Sequence, residues 1–86
     1  MKRRSTEIMQ GILKSKEDDV SAKQFMSRYD ISRRTLKNDI NEINDFLKTI
    51  SMGEIFITED GNLKIGGLFD REKIEEHLYQ MDMYMY

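Results

Sequence analysis

Five polar side chains between positions 33 and 41 have the types that proteins use to recognise DNA. Arginine can hold O6 and N7 of guanine with two hydrogen bonds, asparagine can hold N6 and N7 of adenine likewise, and lysine serves phosphates or adaptable base contacts. At 100° per residue Arg34, Lys37, Asn38 and Asn41 lie on the side of a helix that faces away from its apolar stripe. The five residues are Arg33, Arg34, Lys37, Asn38 and Asn41.

The types of these side chains suggest separate roles. We predict that Arg34 and Asn38 read bases, and that Arg33, Thr35, Lys37 and Asn41 contact phosphates or adjacent bases. An alternative is that the face is an ordinary solvated helix surface. Four further residues are predicted to contact DNA: two at the start of the preceding helix, the cap of this helix, and one lysine later in the chain. The complete predicted DNA-binding set is Ser21, Lys23, Ser32, Arg33, Arg34, Thr35, Lys37, Asn38, Asn41 and Lys64.

The helix that would carry these residues is predicted over 32–50. Ser32 is a suitable N-cap, and the apolar residues that follow repeat at spacings of 4, 3, 4 and 3. Asp45 falls on the polar side, which limits DNA contact to the amino-terminal half of the helix. The apolar stripe consists of Leu36, Ile40, Ile43, Leu47 and Ile50.

Two shorter helices are predicted before it. The first runs over about 5–15, with Ser5 or Thr6 as its cap. The second runs over about 22–29, with Ser21 and Gln24 as a capping box. Asp30 then occupies a tight turn, because aspartate tolerates a left-handed backbone. A short turn between two helices of this kind is typical of a helix-turn-helix.

A small β-hairpin and a last helix are predicted after it, with strands near 54–58 and 63–65 and a helix capped by Asp70. Gly66-Gly67 between them is interpreted as a hinge. The predicted fold is mainly α with a small β-hairpin: a winged helix-turn-helix with a three-helix core, a two-stranded wing and an extra C-terminal helix. We expect a DNA-binding domain over 1–67, followed by a linker or dimerisation segment over 68–86.

The last helix carries apolar residues at coiled-coil-like spacing, namely Ile74, Leu78, Met81 and Met85. They favour a homodimer, while the alternative is that the helix folds back on its own domain. A second hypothesis for the whole chain follows, in which a winged helix uses this helix to bind another protein and the basic face is merely solvated.

The charge of the chain is unevenly divided. Residues 1–37 hold ten Lys or Arg and five Asp or Glu, whereas residues 38–86 hold four and eleven, and the whole chain has a net charge of −2. The basic part includes an amino-terminal arm, Lys2-Arg3-Arg4, that we expect near the DNA. The predicted wing tip, Glu59-Asp60-Gly61-Asn62, is acidic, so either the wing stands off the DNA or Lys64 makes its contact alone.

Nothing in the sequence favours catalysis, a metal or a cofactor. The chain has no cysteine, and glycine-rich phosphate loops and nucleophile motifs are missing. His77 stands beside Glu75 and Glu76, but adjacent positions do not share a helix face. Neither a signal peptide nor a membrane span is indicated, so a cytoplasmic setting is expected.

The segments Val20–Phe25 and Tyr29–Ile40 resemble the amino-terminal helix-turn-helix of BglG-type transcription regulators that carry a PTS-regulation domain, such as the lichenan and mannitol operon activators. The HTH_11 and Mga-like domains share this pattern, and the likeness covers about residues 5–66. Ser32-Arg33-Arg34-Thr35 followed by Asp39-Ile40 is its most specific part. The resemblance implies binding to duplex DNA, control of a carbohydrate operon, dimers, and regulatory domains in a longer parent chain.

Overall fold

The computed structural model describes residues 1–15 and 19–84, with the backbone only for Asp19 and residues 80–84. It contains four helices and three strands in this part of the chain. In chain order they are α1 (Arg3–Ser15), β1 (Asp19–Ser21), α2 (Ala22–Tyr29), α3 (Arg33–Thr49), β2 (Glu54–Ile57), β3 (Asn62–Gly66) and α4 (Arg71–Tyr84).

The three strands form one antiparallel sheet in the order β1-β3-β2. Ser21 pairs with Asn62, and Ile57 pairs with Leu63. The predicted hairpin is present as β2 and β3, and β1 adds a third strand that the sequence did not predict. Three residues are too few to show the alternation by which a strand is recognised from sequence. The helices, the turn and this sheet together are the architecture of a winged helix-turn-helix, which confirms the predicted fold class.

The core lies between α1, α3 and the inner face of the sheet. The stripe predicted for α3 is buried from Leu36 to Leu47, and Ile50 is half-buried beyond the helix end. Burying this many aliphatic side chains supplies most of the stabilising free energy of so small a domain. The fully buried apolar residues are Ile8, Met9, Ile12, Leu36, Ile43, Leu47, Ile55, Leu63 and Ile74.

The helix caps were predicted with mixed success. The Ser32 side chain accepts a hydrogen bond from the Thr35 N–H at 3.1 Å, and Asp70 Oδ1 accepts one from the Lys73 N–H at 3.2 Å, as predicted. The Ser21 side chain makes no cap hydrogen bond, so the predicted capping box is wrong. Ser5 lies inside α1 and not at its start, because the helix already begins at Arg3.

Helix α4 packs against its own domain. Ile74 and Leu78 are buried in the same core as α1 and α3. Two of the four residues predicted for a dimer seam are thus used inside one chain, which favours the alternative that the helix folds back. The Met81 side chain and Met85 lie outside the described part of the chain. No described helix is long and apolar enough to cross a membrane.

Three glycines allow the ends of β2 and β3 to meet. The Gly53 N–H donates to the Leu68 carbonyl at 2.5 Å, and a β-carbon on Gly53 would lie 2.0 Å from the Gly66 carbonyl oxygen. Gly67 has a φ of +80°, which glycine adopts without strain. Gly66 is the last residue of β3, so the interpretation of Gly66-Gly67 as a hinge is corrected to a closely packed turn.

Candidate nucleic-acid interface

The turn between α2 and α3 fixes the direction in which α3 leaves the domain. Asp30 has φ 51° and ψ 52°, the left-handed conformation predicted for it. The Ile31 N–H then donates to the Met26 carbonyl at 3.0 Å, which closes the end of α2. Ser32 starts α3 immediately afterwards. Because Leu36 and Ile40 are buried, the opposite side of α3 must face outward.

That outward side is the α3 polar face, defined by Arg33, Arg34, Lys37, Asn38 and Asn41. All five side chains are exposed. Ser32 and Thr35 are occupied with each other, since the Ser32 hydroxyl donates to Thr35 Oγ1 at 3.1 Å. Of the residues predicted on this helix, these two are therefore engaged in capping, while the other five face solvent together.

Arg33 differs from its neighbours because it contacts the wing. Its Nη2 donates to the Thr58 carbonyl at 3.3 Å, across the gap between the start of α3 and the end of β2. This bond brings the hairpin turn alongside the first turn of α3. This bond could not be predicted from the sequence, because a bond from a side chain to a carbonyl 25 positions away leaves no local pattern.

The remaining predicted residues lie around the sheet. Ser21 is half-buried and Lys23 is exposed at the start of α2. The Ala22 N–H donates to the Gly61 carbonyl at 3.0 Å, so the start of α2 lies next to the hairpin turn. Lys64 is exposed in the central strand, paired with Phe56, and not at the acidic tip of the wing.

The amino-terminal arm is not free beside the α3 polar face, which corrects the expectation for Lys2-Arg3-Arg4. Arg4 binds Asp39 with two hydrogen bonds, Nε to Oδ2 at 2.6 Å and Nη2 to Oδ1 at 3.1 Å. Lys2 Nζ lies 2.9 Å from Asp39 Oδ1 and 3.3 Å from Glu42 Oε2. Only Arg3 is almost fully exposed, and it lies 3.6 Å from Glu7 of the same helix. The arm is therefore part of the fold.

Asp39 is fully buried although it is charged. Burial by itself raises the pKa of its carboxyl group, but the hydrogen bonds from Arg4 and Lys2 outweigh that effect, so the pKa lies below its usual value. The pKa of Glu42 is also lowered: burial opposes this, and the backbone N–H and ammonium of Lys2 outweigh it. The ion pair ties the start of α1 to the middle of α3.

Asn44 ties the other side of α3 to the wing. Its Nδ2 donates to the Ile55 carbonyl at 2.7 Å, and its Oδ1 accepts from the Ile55 N–H at 2.7 Å. The side chain thus takes the place of a neighbouring strand at that residue. This role of Asn44 could not be predicted from the sequence, because the residue stands on the border between the buried and polar sides of α3.

A groove of about 280 Å³ runs between α3 and β2. Arg33, Lys37 and Asn41 line it from the helix, and Glu54, Phe56 and Ile57 line it from the strand. The cationic groups stand at the end near Thr58, where Arg33 is bound. The α3 polar face therefore continues into a cleft whose other wall is the wing.

The sequence also raised the question of a metal site. Among residues 1–15 and 19–84, no group of three or more His, Cys, Asp or Glu side chains is placed to hold a metal ion. His77 is exposed on α4, and its Nδ1 lies 2.8 Å from the Lys73 carbonyl oxygen. It is occupied within its own helix.

Comparison with known proteins gives one result. The HTH_11 family model, described as an HTH domain, matches residues 4–54. The matched segment includes α1, α2, the turn and all of α3, and it covers more than half of the chain. No curated protein and no solved structure matches the chain. The geometry of the turn and of α3 agrees with the family match, and the chain belongs to the HTH_11 family of helix-turn-helix domains.

Proposed function

We propose that the protein binds duplex DNA in a sequence-specific manner and regulates transcription, with α3 in the major groove. The observation that carries this proposal is the α3 polar face, where five exposed side chains of base-reading and phosphate-binding types lie on the second helix of the helix-turn-helix. Within the described residues neither Arg34 nor Lys37 takes part in an ion pair, so both charges are available to a polyanion.

The roles follow from position along α3. Arg34 and Asn38 stand one turn apart in the amino-terminal half, the part of a recognition helix that enters the groove, and we assign them to bases. Lys37 and Asn41 lie towards the wing and Lys23 lies at the start of α2, where they suit phosphates. Asp45, also exposed, marks the end of the contact surface because a carboxylate there repels the DNA backbone.

A narrower role rests on resemblance and not on geometry. The likeness to BglG-type regulators supports control of a carbohydrate operon in the cytoplasm, as part of a longer chain whose regulatory domains follow residues 68–86. Such regulators read palindromic half-sites as dimers. Since Ile74 and Leu78 are buried in the domain, a dimer would use the end of α4, where Tyr79 is exposed. Sedimentation equilibrium that finds a monomer at every concentration would contradict the dimer.

The DNA-binding proposal is tested by an amide NMR titration of the labelled 86-residue chain with a short duplex of arbitrary sequence. Shifts are expected at residues 21–23 and 32–41, and they should fade as salt is raised, because cations released from the DNA drive the binding. The Lys37→Ala variant should bind more weakly, whereas Lys48→Ala, at the opposite end of α3, should not. Shifts confined to α4, or no shifts at low salt, would contradict DNA binding and favour a protein partner instead.

A further inference from the structure

The groove between α3 and β2 contains a backbone donor that the fold leaves available. In the antiparallel pair of β2 and β3, alternate residues bond across the pair, and the Thr58 N–H donates to the Asn62 carbonyl at 2.8 Å. Counting back by twos, Phe56 and Glu54 also bond to β3, so the N–H and C=O groups of Ile55 and Ile57 point away from it. These backbone groups lie along the free edge of the sheet, which is the edge next to α3.

Most of that edge is already occupied. Asn44 takes both backbone groups of Ile55, and the Gly53 N–H donates to the Leu68 carbonyl. Beyond the end of β2, the Thr58 carbonyl belongs to the hairpin turn and accepts from Arg33 and from the Gly61 N–H. Within the described part of the chain the Ile57 N–H has no acceptor. The N–H and C=O of this one residue are too short an edge for another strand to add to, but the N–H suits a single acceptor atom.

The charges around Ile57 indicate which acceptor would bind. Arg33 is held beside Thr58, the next residue, and Lys37 follows one turn later on the same wall of the groove. Glu54, the only carboxylate lining the groove among the described residues, stands three positions away along β2, roughly 10 Å. The Ile57 end of the groove is therefore cationic, and its opposite end is anionic.

We infer that the Ile57 end of the groove binds one phosphate of the DNA backbone, through the Ile57 N–H together with Lys37 and Arg33. This inference rests on the proposed function and adds to it the contact by which the wing binds DNA. It also accounts for the acidic wing tip, because Glu59 and Asp60 can stand off the duplex while the edge of β2 holds the phosphate.

The first test follows the Ile57 amide in the same titration of the whole chain with a short duplex. The Ile57 amide proton should move downfield, as expected for a new hydrogen bond to an anion, and the shift should fade as salt is raised. Inorganic phosphate at the same total phosphate concentration should leave the Ile57 amide signal unmoved.

Two outcomes separate the inference from the proposed function. A response of α3 without a response at Ile57 would overturn the inference and leave the proposed function standing, whereas no response at either site would refute the proposed function itself. An equal response to inorganic phosphate would overturn the inference, because the site would then bind a free anion.

The second test removes the donor and keeps the side chain. A chemically synthesised chain with an ester in place of the amide between Phe56 and Ile57 lacks this one N–H, which no bond within the sheet uses. Its affinity for the random duplex should fall by about tenfold or more, as expected for a hydrogen bond to a charged acceptor. Unfolding curves of the two chains establish that the ester variant is folded. Unchanged affinity of the folded ester chain would overturn the inference.

Two side-chain variants give an independent measurement. Lys37→Ala should lower the slope of log affinity against log salt by about 0.9, the value for one phosphate contact. Glu54→Gln should raise the affinity for random DNA by about twofold, because it removes the carboxylate from the groove. Glu75→Gln, on the exposed side of α4, is the matched control and should change nothing. No gain from Glu54→Gln beyond that control would count against a phosphate in this groove.

Discussion

Two basic clusters that look alike in sequence have opposite fates in the structure. The amino-terminal cluster, Lys2 to Arg4, meets carboxylates of α3, and Asp39 is completely buried beneath it. The α3 polar face has the same kinds of cation, but Arg34 and Lys37 face solvent and no described carboxylate neutralises them. Partners 35 or more positions away decide which cations stabilise the fold and which remain for a ligand.

The largest expected effect tests whether the first cluster is structural. Asp39→Ala should lower the free energy of unfolding by about 2–3 kcal/mol, because a buried carboxylate that accepts charged hydrogen bonds is lost. The loss of stability is limited because the unpaired Lys2 and Arg4 side chains can be solvated by water. Urea unfolding measures the change. Asp45→Ala, an exposed aspartate of the same helix, is the control, and an equal loss in both variants would mean that Asp39 adds nothing through its partners.

The next effect tests whether the second cluster is functional. Arg34→Ala should cost roughly 1–3 kcal/mol in binding to a duplex selected from a random library, and much less on random DNA. Lys37→Ala should weaken both about equally. Arg4→Ala, measured where the variant is folded, should leave both affinities nearly unchanged because Arg4 faces Asp39. Equal weakening of selected and random DNA by Arg34→Ala would make Arg34 a phosphate contact.

A smaller effect is expected from pH. The lowered pKa values of Asp39 and Glu42 mean that both carboxylates stabilise the fold above the pKa of the unfolded chain, about 4, and that this stability is lost as the pH falls through their lower folded values. The urea concentration at the midpoint of unfolding should fall as the pH drops below about 4. It should fall less steeply in Asp39→Asn. A protonated Asp39 still has hydrogen-bond partners, so the loss should be less than in Asp39→Ala. An Asp39→Asn variant with the same acid dependence as the unchanged protein would refute this origin.

The smallest effect concerns the residue next to Arg4. Ser5 is buried like Asp39, but its hydroxyl has no hydrogen-bond partner among the described residues. Ser5→Ala should raise the free energy of unfolding by about 0.5–1 kcal/mol, because it removes an unsatisfied polar group and improves helix propensity. Thermal unfolding measures it. Thr6→Ala is the comparison, since Thr6 Oγ1 donates to the Lys2 carbonyl at 3.3 Å, and a loss of stability in Ser5→Ala would reveal a partner for Ser5.

Local patterns predicted most of the scaffold. The spacing of apolar residues in α3, the Ser32 cap and the left-handed Asp30 each depend on neighbours within a few positions, and the structure has all three. The strand β1 was missed because its pairing with β3 involves residues more than forty positions away. The fold-back of α4 stayed one of two alternatives, since an apolar stripe does not state which surface it will meet.

The candidate site was predicted as a face but not as a cleft. Helical spacing was sufficient to place Arg34, Lys37, Asn38 and Asn41 together, because their exposure follows from the burial of Leu36. The contacts of Arg33 with the wing and of Asn44 with Ile55 depend on tertiary packing. Nothing in the sequence predicted the burial of Asp39, because aspartate is usually exposed and its burial depends on Lys2 and Arg4, far away in sequence.

The bond between Asn44 and Ile55 also bears on solubility. A free strand edge invites pairing with another molecule, which begins with dimers of the wrong kind and proceeds to aggregates. In β2, Asn44 covers that edge at Ile55, and Arg33 is bound just beyond the strand end at Thr58, so that Ile57 alone stays open between them. The contacts that set the separation of helix and wing therefore also leave too little free edge for a second molecule to pair with.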